Sequence, residues 1–463
     1  MKPLYIHNSF SRSKEEFKPL DANHIRLYVC GPTVYDRIHL GNARPIVIFD
    51  TLFRLLKHIY PKVTYVRNIT DVDDKIIIRA KERDIPISQL TCETTELFHQ
   101  DIAALNTLPP TIEPKATEHI GEMIAQIQAL IERNHAYEAE GHVLFHVPSM
   151  DDYGMLSKLD KDAIIAGARV EVASYKKDAS DFILWKPAKD DEPGWDSPWG
   201  CGRPGWHIEC SAMSEKYIGK QFDIHGGGLD LTFPHHENEI AQSCCANGFK
   251  ATEGFAQYWM HNGMLMVEGE KMSKSLGNFF TVGEILEKHH GEIIRLLILS
   301  THYRKPLDWT WKSLEQSKEV LGRFYTALRN TQNLKAEPTI DEAFLDALKD
   351  DLNTAEALSI MHEITTQLNK AKGDNIALHK GKLLGCGQIL GILEQKPEDW
   401  FKWQAAGDSH DDGLSDADIE ALIQKRNQAK ANKDWIAADT IRDELLSQGI
   451  HLEDSPQGTI WKR

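Results

Sequence analysis

Residues 28–32, Tyr-Val-Cys-Gly-Pro, and residues 39–42, His-Leu-Gly-Asn, form the stretch of sequence that decides the fold. Residues 25–30 predict a buried strand, which the glycine and proline end. Residues 41–57 carry apolar side chains at helical spacing, and residues 63–68 predict a second strand. A strand, a helix and a strand within about forty residues indicate a βαβ unit of a parallel sheet. Such sheets bind ligands beyond the carboxyl ends of their strands, where this stretch lies.

The four residues 39–42 lie at the predicted turn into the helix and suit a nucleotide. Gly41 has no side chain, so an adenine or a ribose can lie against the backbone. His39 can donate to phosphate oxygens, and the helix N-terminus adds backbone N–H groups and a favourable dipole. Asn42 keeps a hydrogen-bond donor but cannot carry a proton at neutral pH. The string is short, and chance occurrence is the alternative.

A second candidate motif, Lys-Met-Ser-Lys-Ser at residues 271–275, follows a strand-like segment at residues 258–261. Two ammonium groups on a loop, Lys271 and Lys274, can follow the β- and γ-phosphates of ATP as charge builds on departing pyrophosphate. An isolated pair of lysines would more often be solvated. The combination of this motif with residues 39–42 upstream favours a nucleotide site.

Cysteine, histidine and glutamate residues suggest a metal site between the two motifs. If residues 235–243 are helical, His235 and Glu239 share one face and can present two ligands to one ion. Two thiolates, one imidazole and one carboxylate make a zinc-like ligand set. From spacing alone the alternatives stay open, because a His–Glu pair is often a surface pair and a cysteine is often a packed thiol. The candidate ligands are Cys30, Cys210, His235 and Glu239, with Cys201, Cys244 and Cys245 as competitors.

The two motifs, in this order, resemble the signature motifs of class I aminoacyl-tRNA synthetases. Residues 205–210, 223–228 and 234–239 resemble signatures of the cysteine-specific branch, the cysteinyl-tRNA synthetase family, and the resemblance covers essentially the whole chain. Asn42 departs from the general class I motif, which has a second histidine there, but the cysteine-specific branch accepts asparagine. The resemblance implies a Rossmann-like parallel-sheet catalytic domain. It also implies one Zn²⁺ ion, held by Cys30, Cys210, His235 and Glu239.

The resemblance implies roles for further residues. The catalytic set is His39, Asn42, Lys271 and Lys274, with Lys274 most directly engaged with ATP. The ATP site, where Mg²⁺ accompanies the nucleotide, comprises His39, Gly41, Asn42, Asp230, Lys271 and Lys274. The cysteine site comprises Gly31, Thr70 and Trp206.

The C-terminal end resembles the family's anticodon-binding domain. After a polar linker at residues 404–414, residues 416–430 and 434–447 predict two helices, and the arms of a small hairpin follow. Trp461 on an exposed hairpin arm would suit stacking on an anticodon base, while Trp435 is expected in the core of this segment. A core position for Trp461 is the open alternative. The predicted anticodon residues are Arg426, Asp439, Asp454 and Trp461.

Length and composition agree with a globular protein of about three domains. We predict an α/β catalytic domain at residues 1–300 with an insertion at about 110–205, then a tRNA-binding helix bundle at 301–403 and a small mixed α/β anticodon-binding domain at 415–463. The formal net charge of −16 argues against indiscriminate nucleic-acid binding but permits a local basic track. Seven cysteines and no apolar run of the roughly 20 residues that span a bilayer predict a cytoplasmic protein without disulfides.

The prediction for function is ATP-dependent ligation of L-cysteine to tRNA(Cys) by a monomer, through a cysteinyl-adenylate. Zinc would select the substrate thiolate, because an apolar pocket rejects serine by only about 10²-fold. The main alternative is a synthetase-derived cysteine ligase that acts on an amino sugar. That enzyme would not need the helix bundle or the C-terminal segment. A non-catalytic RNA-binding relative would lose Lys271 and Lys274, which are present.

Overall fold

The computed structural model describes residues 2–159, 174–272, 277–404, 414–455 and 458–462. These form two compact units. The first unit comprises residues 1–282, 298–310 and 342–360, and the second comprises 283–297, 311–341 and 361–463. Lys274 and most of the predicted linker lie outside the described residues. The three-domain division of the chain stays a prediction.

A four-stranded, wholly parallel sheet lies at the centre of the first unit and confirms the predicted α/β class. In its central strand, Leu27 lies opposite Tyr65 on one side and Ile224 on the other. The helix Leu40–Ile59 joins this strand to its neighbour, as the βαβ prediction requires. In spatial order the strands are Phe255–Asn262, Gln221–Gly228, Ile25–Val29 and Val63–Arg67.

The sheet is buried on both faces, as is typical of parallel sheets covered by helices. Tyr28, Phe222 and Trp259 belong to one apolar core cluster. At Gly226 the sheet and helix Leu40–Ile59 approach so closely that a Cβ atom would lie 2.3 Å from the Phe49 ring. The other helices described in this unit are Asp74–Arg83, Ile87–Ala104, Ile120–Glu132, Trp206–Ile218, Glu237–Asn247 and Glu342–Lys349.

Among its described residues, the first unit has three smaller sheets. Within the predicted insertion an antiparallel sheet has the order Ala136–Ala139, His142–Phe145, Phe182–Pro187 and Gly202–Pro204. A hairpin at the start of the chain pairs Tyr5–Asn8 with Ser13–Glu16. The third sheet consists of Glu270–Lys271, Leu265–Val267 and Leu307–Trp309. Short helical turns are Ala116–Glu118, Val147–Ser149, Leu229–Leu231 and Thr232–His236.

The second unit is mainly helical, as the sequence predicts for this half of the chain. The predicted C-terminal helix pair and hairpin are confirmed, and Gly449 ends the second helix with a φ of 76°. Helices that lie in this unit or run into it are Val282–Leu286, Gly291–Leu299, Trp311–Asn330, Thr354–Lys370, Asn375–Leu390, Pro397–Lys402, Asp416–Ala431 and Trp435–Ser447. The hairpin pairs His451–Ser455 with Gly458–Lys462. No helix within the described residues has the length and apolar character needed to cross a membrane.

Candidate active site

The four predicted metal ligands converge beyond the carboxyl end of the central strand. Cys30 follows that strand directly, and its N–H donates to Gly226 O at 3.3 Å. Cys210 lies on helix Trp206–Ile218. His235 lies in the helical turn Thr232–His236, and Glu239 lies in the first turn of helix Glu237–Asn247, which follows it directly. One ligand atom from each of the four lies within 4.8 Å of all the others. The structure therefore brings together side chains that are up to 209 positions apart.

The distances between these atoms fit a tetrahedral zinc ion. Zn–S bonds of about 2.3 Å place two thiolate sulfurs about 3.8 Å apart in a tetrahedron, and the Cys30 and Cys210 sulfurs are 3.7 Å apart. Zn–N and Zn–O bonds of about 2.1 Å give an N···O separation of about 3.4 Å, and His235 Nε2 is 3.2 Å from Glu239 Oε1. His235 Nε2 is buried and, among the described residues, makes no hydrogen bond of good geometry. The donor set and its spacing both suit zinc.

A second group, Cys30, His225, His236 and Glu239, also meets the distance criterion. Its two imidazoles, however, already have partners. His225 Nε2 lies 2.8 Å from Glu239 Oε2, and His236 Nδ1 lies 2.7 Å from His261 Nε2. His225 therefore orients the second oxygen of Glu239, which leaves Oε1 toward Cys30 and His235. Hydrogen bonds of this kind fix a carboxylate ligand in place.

Charges in this cluster are set by burial and by the close contacts. Burial raises the pKa of Cys30, whereas the hydrogen bond from the Cys30 thiol lowers the pKa of Cys210. Burial alone would raise the pKa of Glu239, but His225 and His235 hold it well below its usual range. Burial opposes protonation of His235, yet Glu239 and Cys210 raise its pKa to about 10. The ionised Glu239 carboxylate and the low-pKa Cys210 thiol therefore surround a protonated His235 imidazole. A metal ion that binds here would displace the proton from His235.

His207 and Trp206 define the surroundings of His235. The Nδ1 atoms of His207 and His235 are 2.9 Å apart. Burial lowers the pKa of His207 to about 3, so its neutral ring can accept from His235 Nδ1–H and leave Nε2 of His235 for a metal. The Trp206 ring lies 4.3 Å from the His235 ring and is 40% exposed. Trp206 is thus an exposed ring beside one of the candidate metal ligands, a position that agrees with its predicted place in the cysteine site.

The other two predicted cysteine-site residues, Gly31 and Thr70, lie on either side of Asn68. Gly31 N–H donates to Asn68 Oδ1 at 2.9 Å, and Asn68 Nδ2 donates to Thr70 Oγ1 at 3.2 Å. A Cβ atom on Gly31 would lie 1.6 Å from the Asn68 carbonyl oxygen. Only glycine fits this approach of the two strand ends.

Asn68 and Glu209 were missed by sequence reasoning. Asn68 Oδ1 lies 3.7 Å from the Cys210 sulfur, and Thr70 Oγ1 donates to Glu209 Oε2 at 2.9 Å. Burial and the nearby Cys210 raise the pKa of Glu209 well above its ordinary value. A polar residue directly after a buried strand, and an acid beside a candidate ligand, were the available signals.

The two halves of the predicted nucleotide site adjoin each other in the backbone. Leu40 N–H donates to Phe280 O at 3.3 Å, and Val282 N–H donates to Ile38 O at 2.9 Å. A Cβ atom on Gly41 would lie 3.4 Å from Met272 Cε. The structure thus places residues 38–41 against segments on both sides of the second motif's loop.

The remaining nucleotide-site residues have the following positions. His39 is the N-cap of helix Leu40–Ile59, and its N–H donates to Asn42 Oδ1 at 3.3 Å. Asn42 therefore caps the helix that carries the motif. Lys271 ends the strand Glu270–Lys271, while Lys274 lies outside the described residues. Asp230 is exposed in the turn after Gly228. A Cβ atom on Gly228 would lie 2.4 Å from Asp230 Oδ1.

The C-terminal segment corrects the expectation of an exposed Trp461. Trp461 is only 2% exposed, packs with Ile419 and Leu445, and donates from Nε1 to Glu420 Oε1 at 2.9 Å. The hairpin pairs Trp461 with Leu452, so both face the two helices instead of solvent. Trp461 is a core residue, and the predicted stacking on an exposed arm is wrong.

The tryptophan that this segment exposes is Trp435, at 60%, which also corrects its predicted core position. Asp439 lies four residues later on the same helix, with an exposed side chain 3.2 Å from Arg442. Arg426 is buried and donates to both oxygens of Asp454, at 2.8 and 2.9 Å. Of the four predicted anticodon residues, only Asp439 is both exposed and beside an exposed aromatic ring.

Solved structures similar to this chain include tRNA synthetases. A Mycobacterium tuberculosis methionyl-tRNA synthetase in complex with methionyl-adenylate is similar with a TM-score of 0.56 and 12% identity, over 80% of this chain and 89% of that one. An Agrobacterium radiobacter LeuRS, in a ternary complex with tRNA and LeuAMS, has a TM-score of 0.59 and 10% identity, over 83% and 86%. At these identities the likeness concerns the fold alone.

Sequence relatives are much closer. The family described as tRNA synthetases class I (C) catalytic domain matches residues 16–319, and the DALR domain matches residues 343–394. A cysteine–tRNA ligase of Paramagnetospirillum magneticum is 58% identical over all of both chains. One of Rhodospirillum rubrum is 57% identical over 99% of each. The chain therefore belongs to the cysteine–tRNA ligase family of class I tRNA synthetases.

Proposed function

We propose that the protein ligates L-cysteine to tRNA(Cys) in two steps. In the first, a cysteine carboxylate oxygen attacks the α-phosphorus of ATP, the bond to the bridging oxygen of the β-phosphate breaks, and pyrophosphate leaves. In the second, the 2′-hydroxyl of the terminal adenosine attacks the acyl carbon of the cysteinyl-adenylate, and AMP leaves. The observation that carries the proposal is the cluster of Cys30, Cys210, His235 and Glu239, which lies at the same sheet end as residues 39–42.

Selection of cysteine is assigned to that cluster. A zinc ion held by the four ligands would supply an electrophile that binds the substrate thiolate and has little affinity for the serine hydroxyl. Trp206, which stacks beside His235, covers the bound amino acid. Gly31 and Thr70 line the opposite side, and Asn68 fixes their spacing through its two hydrogen bonds.

Activation of ATP is assigned to the adjoining motifs. The N–H groups at the start of helix Leu40–Ile59 and the His39 ring bind phosphate oxygens, and Asp230 binds the ribose. Asn42 holds the helix start in the capped form. Lys271 and Lys274 stabilise the charge that develops on pyrophosphate, with Mg²⁺ bound to ATP. Positioning and charge stabilisation supply the catalysis, and no side chain forms a covalent bond.

Recognition of the anticodon is assigned to the C-terminal helix Trp435–Ser447. The exposed Trp435 ring offers a stacking surface for an unpaired base, and Asp439 accepts hydrogen bonds from a base edge. Arg426 and Asp454 hold the hairpin against the helices, because the Arg426 guanidinium group donates to both carboxylate oxygens of Asp454. The enzyme is proposed to act as a cytoplasmic monomer on tRNA(Cys), ATP and L-cysteine.

The alternative, ligation of cysteine to an amino sugar, has less support. The similarity to cysteine–tRNA ligases runs the full length of the chain, through the DALR match at residues 343–394 and the C-terminal segment. An enzyme that acts on a small sugar has no use for an exposed tryptophan some distance along the chain from its ATP motifs. A tRNA substrate accounts for both the full-length similarity to cysteine–tRNA ligases and the exposed tryptophan.

The test is ATP–pyrophosphate exchange with cysteine and with serine, before and after removal of zinc. We expect cysteine-dependent exchange that falls with zinc content and returns when zinc is added. Cys210→Ser should lose both zinc and exchange, whereas Cys244→Ser, a control at a buried thiol outside the ligand set, should retain both. Exchange that survives complete zinc removal, or equal exchange with serine, would overturn the metal assignment. Failure to acylate tRNA(Cys) would overturn the tRNA substrate.

A further inference from the structure

Arg44 is a fully buried arginine that the mechanism above does not use. Its Nη1 donates to the carbonyl oxygens of Gly263 and Met264, at 2.7 and 2.8 Å. Its Nη2 donates to those of Tyr303 and Lys305, at 3.2 and 2.6 Å. Two backbone segments that are about forty residues apart in sequence are thereby held by one guanidinium group, which can present five donors in a fixed fork.

Both segments lead into the small sheet that carries the second ATP motif. Gly263 and Met264 immediately precede the strand Leu265–Val267, which pairs with the strand that Lys271 ends. Tyr303 and Lys305 precede Leu307–Trp309, which runs parallel to Leu265–Val267. Arg44 therefore fixes the base of the hairpin from which the residue 271–275 loop continues.

The same residue stands in the first motif's helix. Arg44 follows Asn42 by two positions, within the second turn of helix Leu40–Ile59. That helix begins with the residues that bind phosphate in the proposed mechanism. The helix and the four hydrogen bonds of Arg44 thus form a second direct link between the two halves of the nucleotide site, in addition to the backbone hydrogen bonds of Leu40 and Val282.

Gly263 allows the two backbone segments that bind Arg44 to approach each other closely. Its N–H donates to Tyr303 O at 2.8 Å, and a Cβ atom there would lie 2.6 Å from Lys305 O and 2.8 Å from Arg304 O. The carbonyl groups converge on Arg44 only because the two segments approach this closely. None of the hydrogen-bond partners of Arg44 among the described residues is a carboxylate. Burial lowers the pKa of Arg44 to about 10, so the group stays charged at neutral pH.

We propose that Arg44 is a positioning residue for adenylate formation, which sets the paired strands Leu265–Val267 and Glu270–Lys271 relative to the phosphate-binding turn at residues 39–42. This inference rests on the proposed function. The loop lysines act on charge that develops only as pyrophosphate departs, so misplacing them removes an interaction made in the transition state. Loss of such an interaction lowers kcat and leaves the KM for substrates near its original value.

The test compares Arg44→Met with Arg54→Met in ATP–pyrophosphate exchange. Arg54 lies ten residues further along the same helix, pairs with Asp50 at 2.9 Å and donates to Asn106 O at 2.7 Å. Its replacement therefore removes a mostly buried guanidinium group of the same helix at a position far from the motif. We expect Arg44→Met to lower kcat by about a hundredfold, with the KM for cysteine within about twofold and zinc content unchanged. Arg54→Met should keep the wild-type kcat.

Two further variants keep the inference testable if Arg44→Met folds poorly. Arg44→Lys retains the charge but has only three donors, so its kcat should be intermediate. Gly263→Ala forces the two segments apart without touching Arg44, and it should lower kcat in the same way with the KM for cysteine retained. Wild-type kcat in Arg44→Lys and Gly263→Ala, or a rise in KM at constant kcat, would refute the positioning role. A wild-type protein without cysteine-dependent exchange would instead refute the proposed function.

Discussion

Replacing the two C-terminal tryptophans in turn should separate folding from tRNA recognition. Trp461 is buried with Ile419 and Leu445, and truncating a buried aromatic to alanine costs about 3–5 kcal/mol. A segment of roughly fifty residues has a total stability of only about 2–8 kcal/mol at the usual 0.05–0.15 kcal/mol per residue. Trp461→Ala should therefore remove most of the stability of residues 414–462.

Trp435→Ala should have the opposite profile. The side chain is 60% exposed, so the free energy of unfolding should change by less than about 0.5 kcal/mol. Loss of one stacked base costs about 1–3 kcal/mol, which corresponds to a fall of about 5- to 150-fold in kcat/KM for tRNA. Cysteine-dependent ATP–pyrophosphate exchange does not involve the anticodon and should not change.

The assays are hydrogen exchange of the hairpin amides at residues 451–455, tRNA aminoacylation kinetics and pyrophosphate exchange, all on the full-length protein. Leu446→Ala, at an exposed position on the last turn of the same helix, is the control for Trp435→Ala and should acylate tRNA normally. Protected hairpin amides in Trp461→Ala would refute its core role. Unchanged kcat/KM for tRNA in Trp435→Ala would refute the stacking surface.

Two further predictions concern Gly31 and Asp454. Gly31→Ala should abolish exchange with cysteine, since its Cβ would lie 1.6 Å from the Asn68 carbonyl oxygen and must push the strand ends apart; retained exchange and zinc content would show that the strand ends can separate at little cost. The Arg426 and Lys430 hydrogen bonds hold the pKa of Asp454 below the ordinary 3.8, so its carboxylate stabilises the folded hairpin above that pH and this contribution disappears as the pH falls through the folded pKa. Hydrogen-exchange protection of the hairpin should therefore exceed that of Asp454→Asn at pH 6 and approach it in acid, whereas a difference that is constant with pH would contradict the assignment.

The βαβ unit was predictable because its signal is local. Apolar spacing in residues 25–68 specifies a strand, a helix and a strand within one window, and right-handed parallel connections leave few arrangements. The composition of the two units was not predictable in this way. Residues 342–360 join the first unit through contacts such as His7 N–H donating to Asp351 Oδ1 at 2.8 Å, which no periodicity encodes.

The candidate site shows the same division between local and long-range information. His235 and Glu239 could be paired from their spacing on a helix, whereas the contact between His207 and His235, and the cradle around Arg44, join segments far apart in sequence. The predictions for Trp435 and Trp461 were reversed, because the exposure of a side chain depends on strand register and on its position around the helix. Trp461 lies opposite Leu452 on the inward face of the hairpin, while Trp435 lies on the first turn of a helix whose buried residues are Ala438 and Leu445.

Burial explains why so many imidazoles can surround one cation site. His207, His236 and His261 surround the cluster of Cys30, Cys210, His235 and Glu239. Burial lowers the pKa of each of the three, so these rings are neutral at physiological pH. Neutral rings do not repel a divalent ion and can orient its ligands by hydrogen bonds. The negative charge is then confined to ligands, since Glu239 stays ionised and the Cys210 thiol has a lowered pKa. In the proposed mechanism a Zn²⁺ ion would offset this buried negative charge, and a neutral serine hydroxyl would be a weaker ligand for the ion than the substrate thiolate.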